Sequence, residues 1–491
     1  MTLAQDIARG ALSVPPVAAS LPLAGIKRHL VDAIGCAAFG SALPYASALV
    51  SDLARPTGFG VIGKTVRMSP GDAAFQSGVY IGAFELDTAG AFVHPAASIV
   101  PAALVAAQMR LEDGAAVSGE AFLRATAVAY EMTVRVAEWV GFLPERYIGW
   151  HTPAFHGAIG GALAAGLLLE LDEVHLARAV AFAADMAGGG LIHARGNAKR
   201  FHQARTAQTG ITSALLAARG IECGLDVLED PRWGYRRAMT YSGEGDAPTD
   251  QGDLEAVTAG FGSEWRAWAR LGIKYYPFHA SGQTILDNGV ALRAEGIARS
   301  EDIVSATVGT TTFIREHDQM LKPATGLADA NFSLPYAAAV GLALAPAPLN
   351  AERSDAAMFA TAVDDPEVQR LQRLVILEVD SELDRENSYT MDTVMTVRTR
   401  DGQTHRHRTD YGSRGRSEGG AGGVRFAELG DDDISRKFSN LAAVAWGDEH
   451  ANRVLASVLS LEQASSVDEL LDQLHTESRT IPGAGATKTT P

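Results

Sequence analysis

The chain has 491 residues, 47% hydrophobic and 20% charged, and its 58 acidic against 42 basic side chains give a formal net charge of −16. This is the composition of a soluble globular protein too long for one hydrophobic core, so two or three domains are expected. The acidic balance argues against a general nucleic-acid binder, which needs a positive surface, but leaves room for a local basic pocket.

Cys36 and Cys223 are the only cysteines. They exclude a disulfide scaffold and a cysteine-rich metal site, and read as two buried thiols in a reducing cytoplasm. At the N-terminus Asp6 precedes Arg9 and Pro15-Pro16 breaks the apolar stretch, so no signal peptide is expected. No apolar run reaches the roughly 18 residues of a membrane span; the longest candidate, 157–169, is too short.

Helical spacing then recurs over 21–39, 70–86, 97–111, 118–140, 157–170, 174–188 and 203–219. From residue 1 to about 225 almost no strand signal is found, and this stretch reads as one large helical domain. The character changes after about 270. Residues 302–313, 372–380 and 393–399 are β-branched and partly alternating, and the last meets 403–408 across Arg400-Asp401-Gly402, a hairpin signal. Helices are expected between these strands, at 333–347 and 366–373.

Helical spacing returns over 432–438, 442–459 and 467–474, after a glycine-rich connection at 412–424. The simplest organisation is mainly α with an α+β second domain: a helical domain built from both chain ends (1–270 and 411–480) and a smaller α+β lid inserted at 271–410. Residues 481–491 read as a disordered tail.

Four clusters carry candidate chemistry. Glu85-Leu86-Asp87-Thr88 with His94-Pro95 reads either as polar capping of an apolar helix or as an acid, a hydroxyl and a histidine gathered for proton transfer. In Gly149-Trp150-His151-Thr152-Pro153, His151 is either a packed turn residue or points into a cleft at a helix N-terminus. Lys199-Arg200-Phe201-His202, followed by Arg205, opposes the acidic trend of the chain. It is either a solvated basic face or an anion site, with Lys199 and His202 on one helical face. Lys274-Tyr275-Tyr276-Pro277-Phe278-His279 is either a packing hinge or part of a cleft at the domain boundary. No HExxH and no close His/Cys set is present, and no metal and no cofactor are expected.

Together these clusters resemble the MmgE/PrpD family, along nearly the whole chain. Lys199-Arg200-Phe201-His202 with Ala207-Gln208-Thr209-Gly210 is similar to its K-R-[LF]-H…A-Q-[ST]-G signature. Gly149-Trp150-His151 resembles its G-[YFW]-H element, and Lys274 to His279 its K-x-[FY]-P-x-H element. Asn331-Phe332-Ser333-Leu334-Pro335-Tyr336 resembles its [KR]-[YF]-S-[IL]-P-[FY] segment, with Asn331 in place of a basic residue. The acidic element also departs from the family's [DE]-x-D-D-T: one acid is missing or displaced, and either Glu85 or Asp87 stands for the first.

The resemblance implies a homodimer and cofactor-free lyase chemistry on a small di- or tricarboxylate, with decarboxylation or epimerisation as alternatives. A noncatalytic carboxylate-binding protein is the rival of a different class. On this resemblance Glu85, Asp87, His94, His151, Lys199 and His279 are the catalytic candidates. Thr88, Arg200, His202, Arg205 and Lys274 are the substrate-binding ones. Lys199, Lys274 and Arg205 are expected to hold carboxylates, His94 and His151 to move protons, and His202 to shape the pocket. No nucleic acid or membrane partner is expected.

Overall fold

A computed structural model of the protein describes residues 1–15, 22–91, 93–141, 149–190, 197–240, 252–296, 299–315, 318–387, 391–410 and 429–484. The architecture is mostly helical, with a smaller strand-containing region between helical segments. Its organising element is the helix Asn197–Ala218, which packs against Pro70–Gly82, Ala96–Glu112, Pro153–Leu168 and Glu173–Asp185. Every residue of Pro153–Leu168 is buried, which explains its uniformly apolar sequence: it is a core helix, not a stripe facing water. The glycines set how closely these helices approach. A Cβ on Gly210 would lie 2.7 Å from the backbone of Gly161, so the glycine ending the A-Q-T-G motif is a packing residue.

The C-terminal helices return to the N-terminal ones. Asp431–Trp446 lies along Leu23–Ser41, with Phe438 against Gly35. Asp448–Leu459 and Asp468–Leu474 follow, and the Gly63 amide donates to the Leu474 carbonyl at 2.8 Å. The end of the chain is held too. Ile481 is buried and its amide donates to the Ala42 carbonyl at 3.0 Å, so disorder does not begin at 481 as expected. Residues 485–491 and the glycine-rich connection at 412–424 lie outside the described residues.

In the strand-containing region, four strands run in the order Val375–Val379, Ile303–Thr310, Thr393–Thr399, Thr404–Thr409, with the first pair parallel and the others antiparallel. Leu334–Leu344 and Pro366–Leu371 lie in the crossover between the parallel strands. The hairpin turns where expected: Gly402 adopts φ 85°, and the Asp401 carboxylate accepts from the Gln403 amide at 3.2 Å. The helix Ala280–Ala294 packs on this sheet and meets Leu334–Leu344 at the glycine pair Gly289 and Gly341.

Four expectations change. The first 225 residues do contain strands: a ribbon of Phe59–Val61 with Lys64–Met68, and Ala89–Gly90 paired with Leu271–Gly272. These are too short to stand out beside long helices; only Gly63, at φ 72°, marks the ribbon's turn. The strand expected over 302–313 stops at Thr310, because Asp384 accepts from the Thr312 amide at 2.7 Å and starts the helix Thr312–Arg315. The helix expected over 203–219 begins at Asn197, so the basic segment is its first turns. The N-terminal helix Leu3–Ser13, unannounced by spacing alone, starts from a capping box of Thr2 and Gln5. Cys36 is buried and Cys223 half-buried, and both are free thiols. Among the described residues, no single helix is long and apolar enough to cross a membrane.

Two fully buried histidines set an acid limit. Burial, with Arg28 and Lys437 nearby, lowers His29 from 6.5 to about 3, and burial lowers His156 from 6.5 to about 4. A lowered folded-state value means the unfolded chain binds more protons, so this stability is complete above about 6.5 and lost as pH falls towards 4. Each such histidine removes about 1.4 kcal/mol per pH unit in that window. Urea unfolding between pH 7 and 5 is expected to show stability falling with pH, and His156→Gln to lessen the slope by one histidine's share. A pH-independent stability contradicts this.

Candidate active site

The site is built where the helix Pro70–Gly82 stops and the chain crosses to Ala96–Glu112. Glu85, the third residue after that stop, takes φ 56°. For a non-glycine residue this left-handed conformation costs about 1–3 kcal/mol and persists only where the surroundings enforce it. Glu85–Thr88 is therefore a strained loop, not the end of a helix. Pairing of Ala89–Gly90 with Leu271–Gly272 brings Lys274 alongside. Gly90 and Val93 then exchange backbone hydrogen bonds of 3.2 and 2.8 Å, a tight turn that delivers His94 to the same place.

Glu85 is the hub. Its carboxylate contacts Lys199 Nζ directly and accepts from Lys274 Nζ at 2.8 Å; its carbonyl accepts from the same ammonium at 3.1 Å. All three residues are at most 4% exposed. Burial alone would raise the Glu85 carboxyl, but Lys199 and Lys274, then His94, hold it well below the usual carboxylate range. Burial also brings Lys199 down from 10.5, against the pull of Glu85. The Lys199 ammonium lies 5.2 Å above the Phe332 ring centre, a cation–π contact with the inserted region.

Two histidine pairs flank this hub. His94 Nδ1 lies 3.1 Å from Asp87 Oδ2. A carboxylate only accepts, so Nδ1 carries the proton. Burial lowers the His94 pKa despite Asp87, so the ring is neutral near pH 7 and its Nε2 is a lone pair. The second oxygen, Asp87 Oδ1, is buried without a hydrogen-bond partner among the described residues. His151, on the turn before Pro153–Leu168, has its Nδ1 3.3 Å from Nδ1 of His202, one turn along the helix from Lys199. One ring donates and the other accepts, so the two are opposite tautomers. Burial, then Lys199, His94 and His202, push the His151 pKa well below 6.5. Gly189 makes room: a Cβ there would lie 2.5 Å from that of Ala154 and 3.2 Å from the His202 ring.

The structure thus brings Glu85, Asp87, His94, His151, Lys199, His202 and Lys274 together, and moves four expected residues elsewhere. Arg205 is exposed, because six residues along the helix rotate it well away from the face of Lys199. Arg200 is fully buried, but its donors are engaged: Nε with the Ala83 carbonyl at 2.5 Å, Nη1 with the Ala328 carbonyl at 3.3 Å and Nη2 with Asn331 Oδ1 at 2.8 Å. It ties the helical and inserted regions together. The Thr88 hydroxyl faces Asp32 and His29. His279 precedes the helix Ala280–Ala294, and its Nδ1 lies 3.0 Å from Ser281 Oγ and 3.4 Å from the Ser281 amide. Its own amide donates to the Asn331 carbonyl at 2.8 Å, so it reaches the cluster through Asn331 and Arg200.

Asn331 therefore has a local reason. Its amide accepts from Arg200 and donates to the Pro277 carbonyl at 2.5 Å; a cation there would face the Arg200 guanidinium. Residues that sequence reasoning missed are Asp32, Lys437 and His29, behind the loop, and Gln203, buried one turn beyond Lys199. Only Gln203 carried a signal, its spacing of four from Lys199. Among the described residues, no group of three or more His, Cys, Asp and Glu could hold a metal ion.

Comparison with known proteins bears directly on this arrangement. The family model of the MmgE/PrpD N-terminal domain matches residues 12–246, and that of the MmgE/PrpD C-terminal domain matches 276–463. Cis-aconitate decarboxylase of Aspergillus terreus is 31% identical over 257 residues, 51% of either chain. A cis-aconitate decarboxylase-like protein of Aspergillus oryzae is 34% identical over 249 residues, 49% of this chain and 51% of its own. Human cis-aconitate decarboxylase is 31% identical over 168 residues, 33% of this chain and 34% of its own. The chain thus spans about half the length, or less, of these curated relatives.

The hub predicts an order of stabilities. Glu85→Gln leaves two buried ammoniums without a carboxylate and is expected to cost about 3 kcal/mol or more. Lys199→Met leaves Glu85 still paired with Lys274 and is expected to cost less. Urea denaturation of the two variants checks this, and the reverse order contradicts it.

Proposed function

The chain belongs to the MmgE/PrpD family, and from that membership and the buried cluster we propose that it is a cofactor-independent hydro-lyase acting on a small di- or tricarboxylate. The observation that carries the reading is a neutral, Asp87-oriented histidine beside two lysines that share one carboxylate. An ammonium has three donors. Glu85 takes one from Lys199 and two from Lys274, and the remaining donors are available to a substrate carboxylate. His94 Nε2 removes the proton from the carbon next to that carboxylate. The electron pair moves into the carboxylate as an enediolate, whose growing charge the two ammoniums stabilise. The pair then returns to form the double bond as the C–O bond breaks, and the hydroxyl leaves as water with a proton from an imidazole N–H. The His151–His202 pair supplies that donor.

In this reading the helical unit is 1–270 with 411–480, residues 271–410 form the lid, and the active species is a homodimer. Lys274 and Phe332 come from the lid side and Glu85 and Lys199 from the helical side. Arg200 and Arg205 have no part in binding the substrate.

The names of the relatives favour a second reaction at the same site. If a carboxylate leaves as carbon dioxide, the carbanion takes its proton from the same imidazole donors, and His94 need not act as a base. Incubation with hydroxy-, amino- and unsaturated polycarboxylates in D2O, followed by NMR and mass spectrometry, distinguishes the reactions. Loss of water, with a double bond formed at the carbon that gave up its proton, is the expected result; loss of carbon dioxide with one deuteron taken up at the carbon it left selects the second reading. Deuterium without mass loss beyond exchange marks an epimerase. Binding without product or exchange contradicts catalysis. His94→Gln is expected to slow dehydration by about 10²–10⁴-fold while leaving the protein folded by circular dichroism.

A further inference from the structure

The strained loop is held from behind as well as in front. Lys437, fully buried on Asp431–Trp446, donates to the Leu86 carbonyl at 2.8 Å and pairs with Asp32 on Leu23–Ser41. The Thr88 hydroxyl lies 3.4 Å from Asp32 Oδ2 and 2.8 Å from His29 Nδ1. That hydroxyl has one proton, which goes to the carboxylate, so its lone pair receives the His29 N–H. His29 is fixed in turn by stacking on Trp268, with ring centres 5.3 Å apart. The residues flanking Asp87 on either side, Leu86 and Thr88, are thus both tied to the Asp32–Lys437 pair. A buried ion pair adds little net stability, because desolvation offsets its attraction. Its place under the loop gives it a clearer role.

We propose that Asp32 and Lys437 are positioning residues for the chemistry of His94: through the Leu86 carbonyl and the Thr88 hydroxyl they fix the Asp87 carboxylate that orients the imidazole. The inference rests on the reading of His94 as the general base. Neither residue touches the reacting atoms. Lys437 brings the last third of the chain to bear on a loop some 350 residues earlier, its contact with Leu86 spanning a separation of 351 residues.

Two variants test this. Asp32→Asn with Lys437→Met removes both buried charges together, so neither is left unpaired. Thr88→Val removes only the hydroxyl and keeps the shape. In folded protein, ¹⁵N-edited NMR of the imidazoles reads the His94 Nδ1–H bonded to Asp87. Both variants are expected to shift that signal, and to lower kcat about tenfold or more with KM changed less than about threefold. A folded Thr88→Val protein with an unchanged His94 signal overturns the proposal, whatever the paired variant does. Should the paired variant fail to fold, Thr88→Val decides alone. The NMR signal needs no substrate, so a wild-type protein inactive on every polycarboxylate counts against the proposed function and leaves this test standing.

Discussion

The structure of the site depends on one buried carboxylate. Glu85 lies between Lys199 and Lys274 with almost no access to water, and each of the three would be costly to bury alone. Lys199 comes from the central helix and Lys274 from the strand crossing that follows residue 270, so the carboxylate binds two distant parts of the chain at one point. In the proposed function the same two lysines also take a second carboxylate, that of the ligand. The left-handed backbone at Glu85 lets its side chain reach both.

The histidines acquire their properties from the same burial. In water each would be partly charged near neutral pH. Here burial and the adjacent ammoniums depress His94 and His151, making them neutral groups that accept or donate through defined nitrogens. Asp87 decides which nitrogen for His94. Two lysines against Glu85 and Asp87 leave the described cluster close to electrically neutral when the imidazoles are uncharged.

Much of this was legible in the sequence, for reasons that particular residues make plain. Long helices announced themselves by spacing, and the Asp401-Gly402 hairpin by its turn. The site histidines and lysines stood out because polar groups in small, apolar surroundings need partners. The same motifs also encode structure: Ser333 caps Leu334–Leu344, accepting from the Tyr336 amide at 3.2 Å, and Gly210 permits a helix crossing. What escaped notice were contacts between segments far apart in the chain. Lys437 and Asp32 are ordinary members of amphipathic helices until folding buries them together. Arg200 looked like an anion binder because spacing reports which residues share a helix face, not which carbonyls from other segments lie opposite.

The account turns on whether the two lysines form a carboxylate site facing His94. The most direct measurement is a crystal structure with a bound tricarboxylate that has no leaving hydroxyl, such as propane-1,2,3-tricarboxylate. The account predicts one carboxylate within hydrogen-bond distance of Lys199 Nζ and Lys274 Nζ, with the adjacent carbon facing His94 Nε2. A ligand bound at full occupancy that touches neither lysine would contradict it.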